Sequence, residues 1–74
     1  MEATIKFNLP EDQVEFETAI NAGKWKSVAW DMDQWLRKQT KHASDEMSED
    51  TYNAFIECRD TLREIVFENN VNLD

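Results

Sequence analysis

The sequence predicts an α+β fold that is mostly helical: an N-terminal β-strand, three α-helices, and room for a short C-terminal strand beside the first. Three observations predict it. Thr4 to Leu9 alternates polar Thr4, Lys6 and Asn8 with apolar Ile5, Phe7 and Leu9, the period of a half-buried strand. Residues 24–41 place Trp25, Val28, Ala29, Met32, Trp35, Leu36 and Gln39 at i, i+3, i+4 and i+7 spacing, the period of an amphipathic helix. Ser48 followed by Glu49 and Asp50 has the chemistry of a helix start, a hydroxyl cap with acids at the positive end of the helix dipole.

The remaining elements follow from these. Asn8-Leu9-Pro10-Glu11 reads as the entry to a first helix over about Pro10 to Asn21, with Asn8 accepting from an orphan N–H and Pro10 in the first turn. Val14, Phe16, Ala19 and Ile20 form its loose apolar stripe, and Gly23, the sole glycine, supplies a left-handed stop. The second helix spans Lys24 to about Lys41, and His42 to Met47 is a polar linker. The third runs from Ser48 to about Asn69 on a stripe of Tyr52, Phe55, Ile56, Leu62, Ile65 and Val66, with Arg59 packing its stem there while its head reaches outward. Val71 and Leu73 alternate with polar neighbours and allow the last strand, and such a two-stranded ribbon would favour pairing between two subunits.

Seventy-four residues make a single domain, 1–74. A chain this short buries little surface, so aromatic packing and oligomerisation are the expected supports. One cysteine rules out an internal disulfide and fits a reducing, cytoplasmic setting. No apolar run approaches a membrane span, and the net charge of −8 disfavours direct nucleic acid or anionic membrane binding. The charge is unevenly spread. Residues 1–23 carry one Lys against five acids, residues 24–42 five cations against two acids, and residues 43–74 two Arg against nine acids.

No constellation suggests catalysis, a metal or a cofactor. Cys58 lies mid-helix and is expected buried and inert, and the single histidine, His42, is expected solvated in the linker. Asp31 and Asp33, two residues apart on a helix, cannot share a face and read as solvated. Asp45, Glu46, Glu49 and Asp50 lack the glycine and spacing of a calcium loop.

Two surfaces stand out as candidate binding sites. Trp30 falls almost opposite the stripe of its own helix, among Lys26, Gln34, Arg37 and Lys41, an aromatic residue in a basic rim of the kind found at interface hot spots. Three readings of Trp30 stay open: core under another helix, a dimer contact, or a partner surface. Lys26, Lys38 and Lys41 can pair with acids of the third helix or serve an anionic ligand such as a nucleotide. On the third helix Glu57, Asp60, Glu64 and Glu68 fall along one side, a solvated face, a docking surface for a basic partner, or an imitation of a phosphate backbone.

The stretches KFNLPEDQVEFE, KWKSVAWDMDQWLRKQTKHAS and ECRDTLREI followed by NNVNLD resemble a group of small accessory proteins of tailed bacteriophages, over nearly the whole chain. The resemblance brings no catalytic residues with it. It implies work in the cytoplasm of an infected bacterium, where such proteins bind and redirect a host enzyme or blunt a defence system. The expectation is therefore a homodimer that occludes a host protein through Trp30, Lys26, Gln34, Arg37, Lys41, Glu57, Asp60 and Glu64. An oligomeric sponge for a nucleotide signal and an acidic DNA mimic are the alternatives.

Overall fold

The computed structural model describes every residue from Met1 to Asp74 and contains three helices and no strand. Helix α1 spans Gln13–Ile20, α2 Ala22–Lys41 and α3 Glu49–Glu68. The α+β expectation is thus overturned, and the chain is all-helical. The reason lies in backbone hydrogen bonding: a strand exists only when a neighbour satisfies its N–H and C=O groups. The one candidate neighbour, the tail, packs instead against α2 and α3, where Leu73 is only 7% exposed. In place of a strand, Phe7 packs edge-on against Phe16, ring centroids 5.8 Å apart, leaving Ile5 and Leu9 exposed.

The entry to α1 also differs from expectation. Asn8 does not cap the helix. The Asp12 N–H donates to the Asn8 carbonyl at 2.7 Å, and the Asn8 N–H donates to Asp12 Oδ2 at 3.0 Å, a closed turn that delays the helix to Gln13. Asn21 alone separates α1 from α2, and its carbonyl accepts from the N–H groups of Lys24 and Trp25. Gly23 therefore lies inside α2, with no positive φ, and stops nothing. An added Cβ there would meet no atom within 4 Å. Gly23→Ala should stabilise the protein by about 0.5 kcal/mol, through lower entropy of the unfolded chain. A thermal midpoint higher by roughly 2–4 °C is the expected result for a chain this small, and an unchanged or lower midpoint would contradict it.

Ser48 caps α3 as its chemistry dictates, its Oγ accepting from the Thr51 N–H at 3.1 Å. The other end of α3 closes on a left-handed residue, Asn70, at φ 55°. The Asn70 N–H donates to the Phe67 carbonyl and the Val71 N–H to the Val66 carbonyl, the paired bonds of a Schellman motif. That turn sends the tail back along the helices.

Helices α2 and α3 form an antiparallel hairpin. Ala29 near the start of α2 shares a groove with Val66 near the end of α3, and Trp35 meets Phe55 edge-on at 5.8 Å. Helix α1 touches only α2. Two helices cover each other along a narrow strip, so the wide stripes expected to be buried are mostly not. Leu36 is buried at 7% exposure, and Ala29, Phe55, Leu62 and Val66 are half-buried. Trp25, Val28, Met32, Trp35, Tyr52, Ile56 and Ile65 are exposed. The result is a long molecule, 55 × 27 × 18 Å. No helix is long and apolar enough to cross a membrane.

Candidate functional site

At the centre of the hairpin sits a carboxylate. Asp33, expected from the sequence to be solvated, is 0% exposed. Arg59 approaches from α3 with Nε on Oδ1 at 3.1 Å and Nη2 on Oδ2 at 3.3 Å. Arg63, one turn on, places Nε and Nη2 on the same two oxygens at 2.9 Å each. Gln34 Nε2 donates to Oδ2 as well, at 3.1 Å. Arg63 continues outward to the Asp74 carboxylate at 3.4 Å, so one guanidinium ties α2, α3 and the tail together.

Two arginines on one carboxylate set its chemistry. Hydrogen bonds from Arg63 hold the Asp33 carboxyl well below the usual carboxylate range, with the Arg59 hydrogen bond and both positive charges adding to the effect and desolvation opposing it. The Arg63 guanidinium is pushed above its ordinary range, first by Asp33 and then by Asp74. Asp33 is thus an ionised structural clasp with every lone pair in use. Arg59 turns its head inward to Asp33, opposite to the expected outward reach, because an enclosed carboxylate without a counter-charge would be far more costly than a half-buried arginine.

The sequence contained a signal for this clasp. Arg59 and Arg63 are four residues apart, like charges on one helix face, amid apolar Phe55, Leu62 and Val66. Such a pair on a packed face calls for an acid opposite, and Asp33 lies on α2 at the edge of the stripe through Ala29 and Leu36.

Trp30 sits outside the helix interface and is 39% exposed, so the reading of it as core under another helix is overturned. It lines a shallow groove of about 270 Å³ with Lys26, Ser27, Asp31, Leu73 and Asp74. Of the residues grouped with it, only Lys26 shares that groove. Gln34 is committed to Asp33, and Arg37 and Lys41 are exposed roughly 10 and 16 Å further along α2. Neither they nor Lys26 and Lys38 form ion pairs with α3, whose acids Glu57, Asp60, Glu64 and Glu68 are exposed and unpaired on its outer side. The Trp30 groove and the carboxylate row are therefore two separate surfaces.

A larger, mostly apolar groove of about 540 Å³ lies at the α1–α2 elbow, walled by Trp25, Ala29, Val66, Val71 and Leu73. His42 is the exposed C-terminal cap of α2. Cys58, expected buried, is exposed, because no helix covers that flank of α3. Asp45, Glu46, Glu49 and Asp50 do not converge into a metal-binding group. Comparison with protein-family models, curated proteins and solved structures finds no match to this chain.

Proposed function

We propose that this chain is a small accessory protein of the bacteriophage type that binds a host bacterial protein in the cytoplasm and acts by occlusion rather than catalysis. The observation that carries the reading is the division of its surface into Trp30 with Lys26 in an open groove and, separately, an unpaired row of carboxylates on α3. A half-exposed Trp beside a cation is a suitable anchor for a protein surface. A row of acids about 16 Å long steers encounter with a basic face. The phage setting rests on the sequence resemblance alone.

Affinity purification from bacterial lysate tests this. A stoichiometric host protein should be recovered, and reversing Glu57, Asp60 and Glu64 to Lys should weaken its binding by roughly tenfold or more at low salt. Trp30→Ala should reduce recovery with little loss of helicity. A lysate that yields no stoichiometric protein refutes the proposal.

The Trp30 groove also supports a second reading, a sponge for a nucleotide signal, since an indole face and an ammonium beside it suit a base and its phosphate. Asp31 and Asp74 in the same groove weigh against an anion there. Calorimetry with cyclic and linear nucleotides separates the readings: heat of binding that disappears in Trp30→Ala and Lys26→Ala would favour the sponge.

A further inference from the structure

The chain exposes 6576 Å² of surface. A compact monomer of its mass, 8.8 kDa, would expose about 4,800 Å², so about 1,800 Å² more is open than a self-contained domain of this size leaves open. The radius of gyration, 17.6 Å, compares with about 11 Å for a compact chain of this length. A stable dimer needs only about 800 Å² from each partner. The surplus is ample for one.

Where that surplus lies follows from the helical phase. On α2, the side next to the buried strip carries Val28, Met32 and Trp35, with no charged residue in a sector of about 100°. On α3, Cys58, Leu62 and Ile65 occupy a sector of about 140° that likewise holds no Asp, Glu, Lys or Arg. In a chain that is 32% charged, two such sectors are a pronounced departure. Because the helices are antiparallel, both sectors fall on the same side of the hairpin, and Trp30 and Phe67 fall on the other. The tail marks that other side: Leu73 lines grooves with both Trp30 and Phe67. Along the uncharged side Trp35 is 50% and Ile65 51% exposed.

This side stands uncovered in the fold, and residues 1–6 are themselves exposed rather than packed on it. The tail is engaged on the opposite side through Leu73 and Asp74. Residues 7–12 close on themselves and on Phe16, and α1 meets only α2. A charged partner surface would pay desolvation against this side with nothing to pair with, whereas an identical uncharged side matches it and repeats by two-fold symmetry. We infer that a second copy of the chain binds here, the two hairpins closing a four-helix bundle across their uncharged sides and leaving Trp30 and the α3 carboxylates outward. This inference stands apart from the proposed occlusion and can fail without it.

Light scattering and sedimentation of the full chain provide the test. The native protein should have at least twice the 8.8 kDa chain mass. Two variants, Met32→Lys with Ile65→Lys and Met32→Glu with Ile65→Glu, should each lose the pairing, and mixing them should restore it whatever the register. If either variant unfolds alone, mixing should recover helicity and mass together. Phe67→Lys, on the opposite side, should leave the mass unchanged. A native mass of one chain at every concentration, or an assembly that survives both charged variants, overturns the inference, and so does a monomer whose uncharged side is instead occupied by a host protein.

Discussion

Asp33→Ala should destabilise the hairpin by roughly 3 kcal/mol, the low end for breaking a buried ion pair because both arginines keep part of their hydration. Small domains have little stability in reserve, about 5 kcal/mol at the low end of the usual range, so much of the helical signal in circular dichroism should disappear at 37 °C or in dilute urea. Asp33→Asn keeps the shape and should lose somewhat less. The charge also makes the effect depend on pH in a definite direction. Asp33 stays ionised in the fold at pH values where an ordinary carboxyl, near 3.9, takes up a proton. The unfolded chain therefore binds more protons there, and the stabilisation is full above about pH 4 and lost as pH falls toward the lowered folded value. Urea unfolding of native and Asp33→Asn protein from pH 7 to pH 3 should show their difference shrinking below pH 4. A constant difference would mean that the charge is not what Asp33 supplies. Replacing the whole group, Asp33→Leu with Arg59→Met and Arg63→Met, should restore most of the loss, since hydrophobic packing often equals a buried ion pair.

Leu73→Ala should cost roughly 2 kcal/mol, because the leucine is one of two buried apolar side chains and its removal merges the grooves it separates. The tail depends on its turn as much as on its anchor. Asn70→Gly should keep the left-handed residue and leave stability unchanged, and Asn70→Val should lose about 1–2 kcal/mol. Hydrogen exchange at the Val71 amide reads this directly: protection should persist in Asn70→Gly and vanish in Asn70→Val. Equal protection in both would show that the turn is held by something other than backbone conformation.

Much of the fold was legible in the sequence, and the failures have specific causes. The α2 and α3 helices follow from unbroken 3.6-residue periodicity and, for α3, from Ser48 before two acids, all local features. Thr4 to Leu9 misled because alternation records which side chains are apolar and not whether a neighbour exists to complete a sheet. Gly23 misled in a similar way, since glycine permits a left-handed stop without requiring one. Trp30 was legible as a residue off its helix's stripe, and its position in an open groove agrees with that. Asp33 was missed because an acid on a helix is ordinarily solvated, and only the Arg59 and Arg63 spacing across the hairpin pointed to it.

The inward turn of Arg59 and Arg63 has an electrical result. These are the only cations of α3, and both are spent on Asp33, so the outer surface of that helix is left with Glu49, Asp50, Glu57, Asp60, Glu64 and Glu68 and no positive group. Five of the six other cations lie on α2. The protein is consequently a plank with a dipole across its width, able to rotate in the field of an approaching partner before contact. Added salt should slow its association rate well before it shortens the lifetime of any complex.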